Sequence, residues 1–185
     1  SDDALHRLLS QRRVLVTGAG GSIGSEICRQ VACHQPALLI LAERAENSLF
    51  RINHELLDSG LNLNVAPHVA DVCDVRQMRS LFERYQPEIV VHAAAHKHVP
   101  LMELNPGRAI SNNVLGTKVV ADLSVEFGVE RIVLISTDKA VTPTSVMGAT
   151  KQLAERDVHA LADQADSQVL LSVRFGNVLA SDGSV

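Results

Sequence analysis

The chain has 185 residues, enough for one domain with a sizeable hydrophobic core. Its net charge of −4 argues against nucleic acid or an anionic membrane surface as the main partner. No run of 18 apolar residues occurs, and the start SDDALHRLLS is too polar for a signal peptide, so we expect a cytoplasmic location. The three cysteines, Cys28, Cys33 and Cys73, fit no zinc or redox spacing and suit a reducing compartment.

From Arg12 onward, short apolar runs alternate with longer helical patterns. The predicted strands are RRVLVTG (12–18), ALLILAE (37–43), LNVAPHVAD (63–71), PEIVVHAAA (87–95), ERIVLIST (130–137) and QVLLSVRFG (168–176). The predicted helices cover residues 22–34, 45–60, 75–85, 105–128 and 145–165. No internal repeat or low-complexity tract interrupts this alternation.

This order predicts an α/β fold, a doubly wound parallel sheet with helices on both faces. The strands are near-continuous apolar runs, which is typical of strands buried on both faces. In such folds ligands bind at the carboxyl ends of the strands. Four loops leave those ends, after Thr17, Leu41, Ala94 and Thr137.

The segment VLVTGAGGSIGSE places three glycines between the first strand and the first helix of this pattern. Gly18 permits a tight turn, Gly21 lets a pyrophosphate approach the backbone, and Gly24 permits close packing of helix on strand. The helix start at Ser22 and Ile23 offers N–H groups to phosphate. The segment therefore predicts a dinucleotide site of Rossmann type, although a glycine turn without ligand is the alternative.

An acidic residue about 20 positions further on completes this pattern. Glu43 ends the second strand and can accept hydrogen bonds from both adenosine ribose hydroxyls, which favours NAD. Arg44 could instead pair with the 2′-phosphate of NADP, which we consider less favoured. Asp71, with Val72, is placed to receive the adenine amino group, but Asp71 could equally be the N-cap of the helix that starts VRQM.

The segment HAAAHKHVP holds His92, His96 and His98, which invites a metal-site interpretation. The spacing does not support it, because His92 lies on a strand and a pair at i, i+4 shares a face only on a helix. We expect no metal here. The loop, with Ala94 and Lys97, is expected to line the cofactor and substrate site, where Lys97 could meet a phosphate or a sugar hydroxyl.

Several segments together resemble a known family. TGAGGSIG is similar to the glycine loop of the extended short-chain dehydrogenase/reductases. HAAAHKHVPLMELNP, NNVLGT, STDKAVTPTSVMGATK and RFGNVLASDGSV resemble the UDP-N-acetylglucosamine 4,6-dehydratases of bacterial polysaccharide and glycan biosynthesis. The resemblance runs from Arg12 to Val185. Met147 stands where most members carry Tyr, which resembles the long, membrane-anchored enzymes that retain configuration at C5.

The resemblance implies roles for individual positions. Lys139 matches the catalytic base, Asp138 the acid, and Thr137 a hydroxyl of the same motif. Lys151 matches the lysine that holds the nicotinamide ribose. Lys97 and Asn177 match positions that border the nucleotide-sugar. Asn113 matches the structural asparagine of the long helix.

Relatives also extend beyond these segments at both ends. The long type carries preceding membrane helices, so the resemblance implies a protein anchored to the inner membrane with this domain on the cytoplasmic side. Relatives continue after GSV with a region that closes over the UDP-sugar. We therefore expect residues 1–11 to be a lead-in, residues 12–185 to be an NAD(P)-binding domain, and the substrate-closing region to be absent. By analogy with related folds, the helix at 106–128 suggests a homo-oligomer.

A 4,6-dehydratase oxidises the C4 hydroxyl with NAD, which acidifies the C5 proton. A base then removes that proton while an acid protonates the departing C6 hydroxyl, and the hydride returns to C6. As base, Lys139 needs a pKa below the usual value, and we expect burial and the neighbouring Lys151 to lower it. A protonated Asp138 would serve as the acid.

Met147 cannot take the C4 hydroxyl proton as a tyrosine would. The sole tyrosine, Tyr85, precedes the fourth strand at its amino end. The candidates that remain are Thr137, Asp138, Lys139 or a water held by Lys151, and the sequence does not choose among them. Two alternative functions stay open: a nucleotide-sugar 4-epimerase or reductase of the same fold, and a domain that binds NAD(P) without catalysis.

Overall fold

The computed structural model describes residues 2–163 and 167–176. The strands are β1 (Arg13–Thr17), β2 (Leu38–Glu43), β3 (Val65–Val69), β4 (Ile89–His92), β5 (Arg131–Thr137) and β6 (Val169–Phe175). The α-helices are α1 (Asp2–Leu9), α2 (Ser22–Cys33), α3 (Glu46–Asp58), α4 (Val75–Tyr85), α5 (Val99–Leu104), α6 (Pro106–Ala109), α7 (Gly116–Glu126) and α8 (Val146–Ala162). A π-helical segment, Ile110–Leu115, joins α6 to α7, and a 3₁₀ turn, Asp138–Ala140, follows β5.

The strands form one six-stranded sheet in the order β3-β2-β1-β4-β5-β6, and every pairing is parallel. The chain moves outward from β1 to β3, then returns and moves outward on the other side from β4. The loops after β1 and β4 therefore meet where the direction reverses, which is where ligands bind in such sheets. The predicted doubly wound Rossmann-type fold is confirmed.

Helices cover both faces of the sheet, and each face has its own apolar core. Side chains alternate along β1: Leu15 points to one cluster, whereas Val14 and Val16 point to the other. The first cluster contains residues of α4, α7 and α8, including Met78 and Phe82. The second contains residues of α1, α2 and α3. The apolar runs of the central strands are explained by this double burial.

The expectation of burial on both faces is wrong for the outer strands. β3 and β6 are the edges of the sheet, and neither is buried along its length in the described residues. On β6, alternate apolar side chains are exposed, with Leu171 at 51%. A strand beside only one neighbour has less cover than a central strand, and an apolar sequence alone does not distinguish the two positions.

The predicted long helix at 105–128 is three segments rather than one: α6, the π-helical turn and α7. The wider π turn contains Asn112 and Asn113, both buried. Two short helices were not predicted from the sequence: α1 in the expected lead-in, and α5 after the histidine loop. Within the described part of the chain, no helix combines the length and the apolar character needed to cross a membrane.

We expect Phe82→Ala to lower the free energy of unfolding by about 3–5 kcal/mol, because it leaves a cavity in the larger core. Phe82 is 0% exposed and packs near Phe127, with ring centroids 5.8 Å apart. Urea titration of the two proteins measures the loss. The matched control is Phe50→Ala, since Phe50 is 65% exposed, and it should change stability by less than about 0.5 kcal/mol. Equal losses for both variants would contradict this assignment of the core.

Candidate functional site

The glycine loop after β1 contacts the loop after β4. Gly18 has φ +66°, a conformation that side chains with a Cβ rarely adopt. A Cβ there would also lie 2.6 Å from the backbone nitrogen of Ala94. The missing side chain thus brings two of the four predicted ligand loops together. This is the role that the sequence predicted for Gly18, a tight turn, with a close contact added.

The start of α2 lies directly on this loop. A Cβ on Gly24 would overlap the carbonyl oxygen of Gly18, so the close helix–strand packing predicted for Gly24 is present. Gly21 is the N-cap residue, and among the described side chains none caps this end of the helix. The backbone at Gly21, Ser22 and Ile23 therefore starts a helix whose positive dipole end is not covered by a carboxylate or hydroxyl cap. Such an end suits a phosphate.

Glu43 is held beside the same loop by its own hydrogen bonds. Its Oε2 accepts the N–H of Gly20 at 3.1 Å, and its Oε1 accepts the N–H of Ala45 at 2.9 Å. Each carboxylate oxygen retains a further lone pair for a ligand. Arg44 turns away toward His96, with Nη2 3.4 Å from Nε2. The carboxylate, rather than the guanidinium, is therefore the group fixed against the glycine loop.

Asp71 is not the helix cap that the sequence allowed it to be. Its Oδ1 accepts the N–H of Cys73 at 2.9 Å, a turn within its own loop. The N-cap of α4 is Asp74, whose side chain accepts the N–H groups of Arg76 and Gln77. The helix begins three residues later than a cap at Asp71 would require. Val72 packs in the core, so only its backbone remains for contact with a ligand.

His92 lies in a buried chain of hydrogen bonds at the end of β4. Its Nδ1 is 2.6 Å from the hydroxyl of Thr17, and its Nε2 is 3.0 Å from that of Thr117. Thr117 donates its hydroxyl hydrogen to the carbonyl of Asn113, so it accepts from Nε2–H. The Nδ1 atom then accepts from Thr17. Burial, followed by the charge of Lys151, lowers the pKa of His92 to about 3, so the ring is neutral.

Asn113 fixes the loop that contains the other two histidines. Its side chain accepts the N–H of His96 at 2.8 Å and donates to the carbonyl of His96 at 3.1 Å. The same amide donates to the hydroxyl of Thr150 on α8 at 3.1 Å. In the described residues, no three His, Cys, Asp or Glu side chains come together as a metal site would require. Lys97 is exposed in this loop, and Asn177 lies outside the described residues.

Thr137, Asp138 and Lys139 form a tight turn at the end of β5. Thr137 donates to Oδ1 of Asp138 at 3.0 Å and accepts the N–H of Lys139 at 3.3 Å. The Lys139 ammonium is 3.8 Å from the Asp138 carboxylate. A cleft opens beside this turn, and it is lined by Val99, Asp138, Lys139, Thr142, Thr144 and Ser145. The predicted acid and base thus share one cleft.

The burial expected around Lys139 is wrong. Its side chain is 42% exposed, and that of Asp138 is 60% exposed. The buried lysine is Lys151, which is 4% exposed and donates to the carbonyl of Ile135 at 2.7 Å. Burial lowers the pKa of Lys151 to about 8. A motif gives the order of the two lysines but not their depth, which depends on how α8 packs on β5.

Three residues that the sequence analysis missed hold α8 against the turn. Gly148 faces the backbone of Lys139, where a Cβ would lie 2.5 Å from the carbonyl oxygen. Glu103 of α5 accepts the N–H of Val146 at 2.7 Å, and Ser145 accepts that of Gly148 at 3.1 Å. The pattern SxxG at a helix start signals the Ser145 cap. The contribution of Glu103 comes from a distant helix and has no local signal.

Met147 lies in a small apolar cluster with Met102 and Ala109. It supplies packing between α8 and the helices that follow the histidine loop, and no polar atom that could accept a proton from a hydroxyl. Tyr85 ends α4, and its hydroxyl is 2.7 Å from Nε2 of His68 on β3. The sole tyrosine is therefore engaged away from the turn that contains Asp138 and Lys139.

Comparisons with known proteins identify similar sequences and a similar structure. The model of the family described as polysaccharide biosynthesis protein matches residues 14–185. The capsular polysaccharide biosynthesis protein CapD of Staphylococcus aureus is 50% identical over 98% of this chain and 30% of its own length. A UDP-N-acetylglucosamine 4,6-dehydratase (inverting) of Campylobacter jejuni is 33% identical over 96% of this chain and 52% of its own.

Two further matches complete the comparison. A UDP-glucose 4-epimerase of Rickettsia rickettsii is 35% identical over 94% of this chain and 51% of its own. The X-ray structure of Pen from Bacillus thuringiensis superposes with a TM-score of 0.88 at 34% identity, covering 96% of this chain and 55% of the other. The chain thus spans between 30% and 52% of the lengths of these curated relatives.

We expect the free energy of unfolding to fall as pH falls below 6.5, in part because of His92. The unfolded ring binds a proton near pH 6.5, whereas the buried ring does so only near pH 3. The contribution of His92 is complete above pH 6.5 and is lost progressively below it. Between pH 6.5 and pH 5 this amounts to about 2 kcal/mol.

Urea titrations at both pH values measure this dependence. The His92→Gln variant should lose this part of the pH slope, whatever its stability at pH 7. His54→Gln is the control, because His54 is exposed on α3, and it should retain the wild-type slope. Equal slopes in the wild type and His92→Gln would contradict the assignment of a buried neutral ring.

Proposed function

The chain belongs to the family of polysaccharide biosynthesis proteins, and from this premise we propose that it is the cofactor-binding part of a nucleotide-sugar 4,6-dehydratase. The proposed substrate is UDP-N-acetylglucosamine, and the proposed product is a UDP-4-keto-6-deoxy-N-acetylhexosamine. The observation that carries the proposal is the turn Thr137, Asp138 and Lys139, which places a carboxylate and an amine at one cleft. This cleft lies at the carboxyl ends of the strands, where the glycine loop also lies.

A nicotinamide dinucleotide fits the glycine loop, because Gly21 puts no side chain at the start of α2 and this start has no side-chain cap among the described residues. NAD held there would supply the hydride acceptor for C4 of the sugar and the hydride donor for C6. Glu43 is proposed to accept the adenosine ribose hydroxyls, which favours NAD over NADP. Lys151 is proposed to hold the nicotinamide ribose.

Further cofactor contacts are assigned by position. Asp71, with the backbone of Val72, is proposed to receive the adenine amino group. Ala94 lies against Gly18 and is proposed to border the nicotinamide side of the same site. Lys97, exposed in the loop after β4, and Asn177 are proposed to contact the nucleotide-sugar.

The chemistry at C5 and C6 requires one proton acceptor and one proton donor. Lys139 is proposed to remove the C5 proton, and Asp138 is proposed to give a proton to the departing C6 hydroxyl, which leaves as water. The two groups are adjacent in sequence and 3.8 Å apart, so one sugar ring can contact both. Thr137 holds the carboxyl of Asp138 in place through its hydroxyl.

The C4 hydroxyl needs a separate proton acceptor, since Met147 has none. Thr137, Asp138, Lys139 and a water held by Lys151 are the candidates. The second candidate function is a nucleotide-sugar 4-epimerase, which the similarity to the Rickettsia rickettsii protein favours. An epimerase reaction changes C4 only and leaves the C6 hydroxyl in place.

Proton NMR of UDP-N-acetylglucosamine with NAD in D₂O, using the protein that carries this chain, tests the proposal. We expect loss of the C6 hydroxyl and deuterium at C5 of the product, with the coupling pattern reporting retention or inversion at C5. Lys139→Met should lower turnover by about 10²–10⁴-fold without changing NAD affinity. Lys118→Met is the control, because Lys118 is exposed on α7. A product that differs only at C4 would identify an epimerase instead.

We expect Glu43→Ala to weaken NAD binding by about tenfold or more, because it removes charge-assisted hydrogen bonds to the ribose. Isothermal titration with NAD and NADP measures the change, and the preference for NAD over NADP should fall. Glu46→Ala is the control, since Glu46 is an exposed carboxylate on the first turn of α3. Unchanged NAD affinity in Glu43→Ala would contradict the ribose role.

A further inference from the structure

A carboxylate is buried one helical turn after Lys151 on α8. Glu155 follows Lys151 by four residues on α8, so the two side chains lie on the same face of the helix, one turn apart. Glu155 is 2% exposed and Lys151 is 4% exposed. None of the sequence motifs draws attention to Glu155. A charged residue at this depth requires a partner, because an unpaired buried charge is strongly unfavourable.

The partner of Glu155 is on the neighbouring edge strand. Arg174 of β6 donates from Nη2 to Oε2 of Glu155 at 2.6 Å and from Nε to Oε1 at 3.0 Å. Burial opposes ionisation of Glu155, but these hydrogen bonds outweigh it and hold the pKa of the carboxyl below its usual value. Arg174 is paired in register with Ser136, immediately before Thr137. The ion pair therefore joins α8 to β6 beside the catalytic turn.

Lys151 has a neutral partner, the carbonyl of Ile135, at 2.7 Å. Burial disfavours its charged form, and the charge of Glu155 opposes that effect. The elements packed around α8 contain further charged groups, namely Glu103, Arg108, Lys118, Asp122, Glu126, Arg131, Asp138, Lys139 and Arg174. On α8 itself stand Arg156, Asp157 and His159, and the pKa of His92 on β4 is lowered by burial and by the charge of Lys151. Among all of these neighbours, Glu155 is the carboxylate whose charge acts on Lys151.

We propose that Glu155 is a positioning residue whose carboxylate supports the charge of Lys151, one helical turn before it on α8, and, through Arg174, fixes β6 beside the end of β5. The consequence for the cofactor rests on the proposed ribose role of Lys151. The relation between the charges of Glu155 and Lys151 is independent of that role, because it involves residues of this chain alone. Among the described residues, loss of the carboxylate leaves the buried ammonium of Lys151 with the carbonyl of Ile135 as its hydrogen-bond acceptor.

Titration of the lysine side chains tests the proposal directly. The chain contributes four lysines, Lys97, Lys118, Lys139 and Lys151, to the protein labelled with ¹³C at lysine Cε, and a Lys→Arg variant at each position assigns its signal. In the wild type, Lys151 should titrate near pH 8. In Glu155→Gln, which keeps the shape of the side chain, the midpoint should fall by about one unit or more.

A second variant acts through the same carboxylate. Arg174→Gln removes the hydrogen bonds that hold the pKa of Glu155 below its usual value, so the buried carboxyl loses charge and the midpoint of Lys151 should fall. In the Glu155→Gln background, where no carboxylate is left, Arg174→Gln should not lower the midpoint further. The matched control is Asp122→Asn on α7, since Lys118 and Asp122 have the same four-residue spacing at the surface, 3.1 Å apart. Because exposed pairs contribute little, Lys118 should shift by only a small fraction of the change at Lys151.

An unchanged Lys151 midpoint in Glu155→Gln would overturn the proposal. So would a further fall when Arg174→Gln is added to Glu155→Gln, because it would show that loosened packing, and not the carboxylate, controls Lys151. The titration uses neither cofactor nor sugar, so it is independent of the proposed function. NAD affinity should decrease as pH rises and Lys151 loses its proton. In Glu155→Gln this decrease should occur at a lower pH than in the wild type. A shifted titration without that change would support the role of Glu155 and contradict the ribose role of Lys151.

Discussion

Parallel pairing of the six strands is the constraint on which the rest of the structure depends. Because all strands point the same way, the loops after β1, β2, β4 and β5 lie together at the carboxyl ends of the strands. Residues far apart in the chain become neighbours there, and glycines let the backbones approach. Gly18 lies against the loop after β4, and Gly148 brings the start of α8 onto Lys139. Glu43 reaches the glycine loop from the neighbouring strand. The candidate site therefore depends on the common direction of the strands and on glycines, which have no side chain, at the points where the backbones are in contact.

A buried polar chain makes this edge rigid. Thr17, His92 and Thr117 connect β1 to α7 through the interior, and Asn113 continues the chain to the histidine loop and α8. Each of these groups would be costly to bury without a partner, so the network fixes rotamers and one imidazole tautomer at once. The π-helical turn accommodates Asn113 within a helix that must otherwise pack on the sheet. Similar turns are often found at functional sites, and here the turn points an amide toward two elements of the site.

The two lysines of the site differ in environment, and this difference gives each a distinct chemical capacity. Lys139 is at the surface of a cleft, beside a carboxylate, where a substrate can reach it. Lys151 is inside the protein, where its charge depends on Glu155. Family membership places the chain among polysaccharide biosynthesis proteins, some relatives of which are named dehydratases or epimerases. In the structure, Met147 lies in an apolar cluster with Met102 and Ala109, where its side chain contributes packing.

The sequence by itself determined the order of strands and helices, the parallel sheet and the glycine loop, because these follow from local periodicity and from the few residues that permit positive φ or close approach. The sequence also determined that position 147 is a methionine, which has no phenol group to take a proton from a sugar hydroxyl. Tertiary structure decided what local patterns leave open. Whether Asp71 or Asp74 caps α4 depends on where the helix docks. Whether a lysine is buried depends on what packs over it, so the buried lysine is Lys151 and not Lys139, for which burial was expected. Desolvation and edge position are properties of the assembled sheet, and no single segment of the chain encodes them.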